Sequence, residues 1–192
     1  RLFKSRLLYK DERALRLPCY CLYILKIDDF STPNGIGKQK LTASIDGSYF
    51  RDFVDNETIK QVEARPEDQK PALIIIKDFG SFKSRLIKAL SDIGVPESDI
   101  LIQYAAYFDF DEYGDVGWRD FQQQYPKELF IKNKRFEKQS EGRIIIKNRK
   151  PEVLRCLEET IDLGCMDDIA SVCKGYYPDG ITIELSATVF QQ

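Results

Sequence analysis

The residues best suited to chemistry lie together near the start of a predicted strand. Gln139, Glu141 and Arg143 alternate within FIKNKRFEKQSEGRIIIKNRK, the stretch over residues 130–150. Side chains two apart in a strand point to one face, so Glu141 and Arg143 share a face, and Gln139 joins them if the strand begins early. An amide, a carboxylate and a guanidinium on one face suit either a catalytic cleft or an ion-pair network.

Three kinds of enzyme could use this cluster, and ADP-ribosyl transfer is the leading one. There Glu141 would bond the ribose hydroxyls and stabilise the developing cationic sugar, while Arg143 positions the dinucleotide. A metal nuclease would take its first carboxylate from Asp109 or Asp111, but Arg143 then replaces a basic Lys, and a guanidinium is a poor general base. A two-carboxylate hydrolase would pair Asp109, Asp111 or Glu112 with Glu141.

A structural role for the same cluster competes with all three. Glu141, Arg143 and Gln139 would then form an ion pair and an amide contact on a half-exposed sheet face. Such a pair contributes about 0–1 kcal/mol to stability. The sequence therefore leaves open whether the chain is an enzyme.

A binding module is the alternative function. Residues 132–150 hold eight basic and two acidic residues, and Phe130 and Phe136 interleave with them. Cations hold phosphates and aromatic rings stack on bases, so the segment could bind nucleic acid, or instead a protein. The candidate binding residues are Lys132, Lys134, Arg135, Phe136 and Lys138. The net charge of −2 argues against strong unspecific nucleic-acid binding.

The composition excludes several classes of site. Histidine is absent, which excludes His-dependent triads and His-ligated metals in this chain. The five cysteines lack paired spacing, so no metal site is predicted beyond the weak Asp109 and Asp111 alternative. We expect reduced, mostly packed thiols in an intracellular, cytoplasmic protein. No apolar run approaches the length of a membrane span, and no cofactor is identified.

The elements that would position the cluster indicate an α+β fold with a mixed sheet, one βαβ unit and several short flanking helices. Helix Ser81–Ile93, capped by Ser81 and ended at Gly94, would pack on that sheet. We expect one domain over residues 1–192, with a possible N-terminal arm over residues 1–17. The segments predicted to share the sheet are Ala72–Lys77, covered on both faces, Ile100–Phe108, Arg143–Lys147 and Ile181–Val189.

Further elements follow from composition and spacing along the chain. The predicted strands are Cys19–Ile27, which is buried, then Lys40–Ile45, Leu129–Lys132 and Ile161–Gly164. The predicted helices are Glu57–Ala64, Trp118–Gln124, Pro151–Glu159 and Met166–Cys173. Residues 133–140 are predicted to form a loop or hairpin.

Three stretches resemble a family of small, uncharacterised proteins of bacteria and their phages. They are PALIIIKDFGSFKSRLIKAL (residues 71–90), FIKNKRFEKQSEGRIII (130–146) and IDLGCMDDIA (161–170). The family pattern is a strand and helix, then a Lys, an aromatic and Gln-x-Glu-x-Arg opening a strand, then a Gly and an Asp-Ile helix. Gly142 stands where an aromatic residue is usual. The resemblance implies the architecture and a bacterial or phage origin.

Together these observations predict an intracellular bacterial or phage protein, related to a toxin or a defence system. The candidate site lies around Glu141 and Arg143. The alternative is a non-catalytic module that binds nucleic acid or protein through residues 132–150.

Overall fold

The computed structural model describes residues 16–51, 56–70, 72–109, 126–158, 160–174, 177 and 179–190. Helices and strands are mixed along these ranges, which confirms the α+β class. The chain divides into two compact units, Arg1–Tyr23 with Ile87–Asp162, and Ile24–Leu86 with Leu163–Gln192. This division does not test whether the chain behaves as one domain, and the arm lies mostly outside the described ranges, so both stay predictions.

The first unit contains a three-stranded antiparallel sheet with β7 (Glu141–Ile146) in the middle. It pairs with β1 (Cys19–Tyr23) on one side and with β4 (Ile100–Tyr104) on the other. β7 ends in three consecutive isoleucines, which are β-branched and suit a covered strand, and all three are buried. The predicted strand Arg143–Lys147 is therefore confirmed, with two further residues at its start.

Strand β1 is shorter and more exposed than the buried strand predicted at Cys19–Ile27. Its first three residues are exposed, and in the described part of the chain β7 is its only neighbour. A strand at the edge of a sheet has lateral neighbours on one side only, so its side chains pack against fewer strand residues than those of the central β7. The apolar composition predicted the strand correctly but its burial wrongly.

The predicted strand Ile100–Phe108 is confirmed with one interruption, at Ala105. Beyond it the chain continues as β5 (Ala106–Phe108). The backbone N–H of Ala105 donates to the carbonyl of Glu141 at 2.8 Å, so the ladder to β7 extends past the end of β4.

Strand β5 pairs in parallel with β6 (Ile131–Asn133). A 3₁₀ turn over Lys127–Phe130 precedes β6, so the strand predicted at Leu129–Lys132 begins two residues later than expected. After β6 comes a second 3₁₀ turn, Lys134–Gln139, in the place of the predicted loop or hairpin. We call Lys134–Gln139 the cationic turn.

Helix α3 (Phe79–Asp92) begins two residues before the predicted start. Asp78, not Ser81, supplies the cap, because one carboxylate oxygen accepts the Ser81 backbone N–H at 3.0 Å and the other accepts the Ser81 hydroxyl at 2.7 Å. These two hydrogen bonds lower the pKa of Asp78. A carboxylate at this end also complements the helix dipole.

The end of α3 is as predicted. Gly94 has φ of +87°, the left-handed conformation that glycine adopts without steric cost. The N–H of Val95 reaches back to the carbonyl of Leu90 at 2.9 Å, and both side chains are fully buried. This pattern is a Schellman motif with its hydrophobic contact, which stops the helix at a defined residue.

The second unit contains two antiparallel strand pairs. The longer joins β2 (Gly37–Asp46) to β9 (Gly180–Val189) over ten residue pairs. The shorter joins β3 (Ala72–Ile76) to β8 (Ala170–Lys174). Three short α-helices are also present: α1 (Gly47–Arg51) and α2 (Asn56–Glu63) in the second unit, and α4 (Pro151–Glu158) in the first.

The structure corrects the prediction of a single mixed sheet. The strands of its four segments lie in four different sheets, and among them only β4 and β7 are hydrogen-bonded neighbours. Strand β3, helix α3 and strand β4 follow in the predicted order, but β3 pairs with β8 rather than β4, so no βαβ unit forms from them. Strand β3 is not covered on both faces, because Ile74 is 61% exposed.

Strand β8 also replaces the helix predicted at Met166–Cys173, and no strand forms at Ile161–Gly164. A turn at residues 167–169 is closed by the N–H of Ala170 donating to the carbonyl of Met166 at 2.8 Å. The following residues then pair with the isoleucine-rich β3. Pairing with a distant strand outweighs the weak local helical spacing.

Candidate functional site

The alternation along β7 places Glu141, Arg143 and Ile145 on one face of the first-unit sheet. Ile145 is fully buried and packs in a small apolar cluster with Leu17 and Phe130. The charged residues therefore continue a row that begins in the core. Phe130 is 5% exposed, so it is not the stacking residue that the sequence suggested.

Glu141 is the centre of an ion cluster with two cations. One carboxylate oxygen accepts from Nε of Arg143 at 2.7 Å, and the other accepts from Nζ of Lys132. Lys132 also donates to the side-chain carbonyl of Gln139, and Arg143 donates through Nη1 to the backbone carbonyl of Leu129. The structure thus brings together Gln139, Glu141 and Arg143 as predicted, and adds Lys132.

The cluster is more buried than the half-exposed pair expected from the sequence. The side chains of Glu141, Arg143 and Lys132 are 8%, 16% and 18% exposed. Burial makes each charge dependent on its partners, because an unpaired charge out of water is costly. Two cations share one carboxylate, so the cluster carries one excess positive charge.

Two further groups, one from β5 and one from β1, contact Glu141: Tyr107 at its backbone and Cys21 at its carboxylate. The Tyr107 hydroxyl oxygen accepts the backbone N–H of Glu141 at 2.8 Å. The thiol of Cys21, which lies opposite Arg143 in the β1–β7 register, donates to the Glu141 carboxylate. The parallel register of β5 and β6 sets Tyr107 beside Lys132, so one strand pair delivers both groups to Glu141.

The electrostatics follow from these contacts. Burial alone would raise the pKa of Glu141, but hydrogen bonds from Arg143, Cys21 and Lys132 outweigh it and lower the pKa to about 2. Partial burial of the Cys21 sulfur, its hydrogen bond to Glu141 and the nearby Cys19 raise the pKa of that thiol to about 12. Burial and the Glu141 charge also raise the pKa of Tyr107. At neutral pH Glu141 is therefore ionised, while Cys21 and Tyr107 keep their protons.

This arrangement restricts the chemistry of Glu141. Both carboxylate oxygens already accept from cations, and a pKa of about 2 makes the group a weak base. Cys21 is a poor nucleophile because its raised pKa disfavours the reactive thiolate. The cluster is better suited to holding Lys132 and Gln139 in place than to exchanging protons.

The cationic turn begins directly after β6 and ends directly before β7. The Asn133 side-chain oxygen accepts the N–H of Arg135 at 3.0 Å and caps its start, and Ser140 ends it with φ of 40°. In a 3₁₀ helix, side chains three apart eclipse one another. Arg135 and Lys138 therefore share one side, while half-buried Phe136 and buried Gln139 share another.

Arg135 of the turn and Lys132 of β6 both lie over the aromatic ring of Phe136. The guanidinium carbon of Arg135 lies 4.5 Å from the centroid of Phe136, and Nζ of Lys132 lies 5.3 Å from it. Both distances fall within the range of cation–π contacts. Lys134, Arg135 and Lys138 are exposed, and none of them forms an ion pair with another described residue.

The basic run that is continuous in sequence divides into three parts in space. Lys132 and Arg143 turn inward to Glu141, and the cations of the turn lie at the start of β7. Lys147, Arg149 and Lys150 follow its other end, about 20 Å away along a six-residue strand. The structure therefore separates the residues that the sequence suggested as one basic face.

The acidic residues and cysteines considered from the sequence form no further site within the described ranges. No group of three or more acidic or cysteine side chains that could hold a metal occurs among the described residues. Asp111, Glu112 and the helix predicted at Trp118–Gln124 lie outside those ranges, which end at Asp109 before resuming at Pro126. All five cysteines are free, as predicted, but four are exposed rather than packed.

Lys132, Tyr107 and Cys21 are the cluster members that sequence reasoning missed. Lys132 was assigned to the binding surface and the other two were not singled out. Their roles depend on strand register, which the local sequence does not encode. The alternation of residues 100–108 was the only signal that could have placed Tyr107 on a defined face.

Comparisons of the chain with protein-family models, curated proteins and solved structures found no match. Across the described ranges, no helix combines the length and apolar character needed to cross a membrane.

Proposed function

We propose that the chain is a non-catalytic module that binds nucleic acid through the cationic turn. The observation that carries this proposal is a turn with three exposed cations, Lys134, Arg135 and Lys138, in which the Arg135 guanidinium lies over the aromatic ring of Phe136. Exposed cations that pair with no carboxylate in the described ranges are available to phosphates, and unpaired bases stack on aromatic rings or guanidinium planes.

The ion cluster supports this function by fixing the turn. Lys132, just before the turn, donates both to Gln139, the last residue of the turn, and to Glu141 at the start of β7. The turn is therefore held at both ends before any ligand arrives. Preorganisation of this kind raises affinity, because less conformational entropy is lost on binding. The excess positive charge of the cluster adds to the attraction of an anion.

A binding surface confined to one turn is consistent with the net charge of the chain. The chain has a net charge of −2, so bulk attraction to nucleic acid is absent. Binding must then come from a local group of cations. Three phosphate contacts would give measurable but moderate affinity with a clear dependence on salt.

ADP-ribosyl transfer is the second candidate, favoured by an ionised Glu141 between Arg143 and Lys132. For this reaction Lys132 would have to release one carboxylate oxygen to the ribose hydroxyls. The resemblance in residues 71–90, 130–146 and 161–170 supports a bacterial or phage origin for either function, and a place in a toxin or defence system is part of the proposal. The free thiols support a cytoplasmic location.

The binding proposal is tested by removing the three charges of the turn. We expect the triple variant Lys134→Gln, Arg135→Gln, Lys138→Gln to bind a fluorescent oligonucleotide at least about tenfold more weakly. Its log affinity should also depend less steeply on log salt, by about 2 units for three lost phosphate contacts on a single strand. Fluorescence anisotropy across a salt titration measures both quantities.

The matched control removes three exposed lysines elsewhere, through Lys38→Gln, Lys83→Gln and Lys174→Gln. The net charge change is the same, so a general electrostatic effect would weaken binding equally in both variants. Equal losses, or no binding by the unaltered protein, would overturn the proposal.

A further inference from the structure

The guanidinium of Arg135 is a plane as well as a charge. Its central carbon lies over the ring of Phe136, 4.5 Å from the ring centroid, and Arg135 is exposed while Phe136 is half-buried. We infer that the nucleic acid is an unpaired strand, one base of which stacks on the solvent side of the Arg135 guanidinium. This inference rests on the proposed function and specifies its ligand.

The shape of the turn favours an unpaired strand over a duplex. Six residues of 3₁₀ helix span only about 12 Å, whereas the major groove is read by an α-helix or a two-stranded ribbon. Bases inside a duplex already stack on their neighbours. A base in a single strand is available, and aromatic rings and guanidinium planes are the surfaces on which such bases stack.

The neighbouring charge is placed to hold the same strand. Arg135 and Lys138 are three apart in a 3₁₀ helix, so they project from the same side of the turn. A strand whose base lies on Arg135 therefore passes Lys138 with its phosphates. Lys134 begins the turn and shares its side with the exposed acid Glu137, which makes it the weaker phosphate contact.

The backbone of the cationic turn is fixed before nucleic acid binds. The backbone N–H of Arg135 is bonded to the Asn133 side chain, and Gln139 is bonded to Lys132. The fixed backbone holds Arg135 and Phe136 in positions from which the guanidinium lies over the ring. Only the stacked base then has to be ordered when the complex forms.

The test compares ligands that differ in bases but not in charge. The unaltered protein is titrated with an oligouridylate, with an abasic phosphodiester strand of the same length, and with a duplex of that length. We expect the oligouridylate to bind at least about fivefold more tightly than the abasic strand, the lower end for one stacked base. In Arg135→Lys, which keeps the charge and loses the plane, this preference should disappear while the salt dependence stays.

Each outcome decides a different claim. Equal, salt-dependent binding of the oligouridylate and the abasic strand would overturn the stacking inference and leave the proposed function standing. Tighter binding of the duplex than of the oligouridylate would likewise overturn the stacking inference and leave the proposed function standing. No binding of any of the three ligands would overturn the proposed function, and the inference with it. The ligand comparison uses the unaltered protein, so it decides the matter even if Arg135→Lys fails to fold.

Discussion

Two arginines in this chain make the same kinds of contact in opposite surroundings. In the first unit, Arg143 donates to the Glu141 carboxylate and to the backbone carbonyl of Leu129. In the second unit, Arg85 donates to the Asp168 carboxylate and to the backbone carbonyl of Cys165. The exposed side-chain fractions are 16% and 8% for the first ion pair, and 32% and 60% for the second.

The comparison shows that the surroundings, more than the contacts, decide how much an ion pair matters. Asp168 and Glu141 both have a lowered pKa, Asp168 chiefly through its hydrogen bond from Arg85. Water replaces the partner of an exposed carboxylate at little cost. A buried cluster has no such replacement, so removing one member leaves the others as unpaired charges. The two arginines should therefore respond very differently to loss of their acid.

The largest effect is expected from Glu141→Gln. The substitution keeps the shape of the side chain but leaves Lys132 and Arg143 as buried cations without a counter-charge. We expect the free energy of unfolding to fall by about 3–5 kcal/mol, the cost of breaking a buried pair. Denaturant-induced unfolding measures this change directly.

The matched control for that substitution is Glu137→Gln. Glu137 is exposed in the cationic turn, so the same chemical change should leave stability nearly unaltered. An unshifted unfolding curve for Glu141→Gln, together with loss of an ADP-ribosylation signal on labelled NAD, would contradict the structural role. That result would favour the transferase.

A smaller loss of stability is expected when the pH is lowered. The pKa of Glu141 is about 2 in the folded chain against 4.5 for the unperturbed group, so the folded state holds the carboxylate in its charged form. The stability it contributes is present above about pH 4.5 and is lost as the pH falls towards 2. The loss should be on the order of 3 kcal/mol, from about 1.4 kcal/mol for each unit of pKa.

This acid effect can be isolated by comparing the unaltered chain with Glu141→Gln. The difference in their unfolding free energies should be constant between about pH 5 and 7 and should shrink below that range. A difference that stays constant down to about pH 2 would show that the carboxylate is not the titrating group. Other acids, such as exposed Asp78 and Asp168, cancel in the comparison because both proteins contain them.

The sequence predicts the candidate cluster better than its surroundings. The period of two along a strand is a local property, so it placed Glu141 and Arg143 on one face without knowledge of the fold. The end of helix α3 is equally predictable from the sequence, because Gly94 acts within its own turn. The burial of the cluster is not predictable from the local sequence, since it depends on which strands flank β7.

The errors share a physical cause, which is pairing between distant strands. Residues 170–173 were predicted as part of a helix, but β3 pairs with them and makes them a strand. Lys132 was placed on the surface because its segment is basic, whereas the parallel register of β5 and β6 turns it towards Glu141. Register is set by the whole sheet, and a single sequence contains no direct signal for it.

The smallest effect is expected from Arg85→Ala, which completes the comparison. Asp168 is largely exposed, so water solvates its carboxylate once the guanidinium is gone, and the Cys165 carbonyl, also at an exposed residue, is hydrated in the same way. We expect the melting temperature to change by less than about 4 °C, the shift that corresponds to the upper end for an exposed pair in a chain of this size. Thermal melting of Arg85→Ala beside Arg143→Ala measures the contrast. The two substitutions remove the same side chain and the same kinds of hydrogen bond, so only burial separates them. Equal shifts would show that the contacts themselves determine stability, and the distinction between the two regions would then be lost.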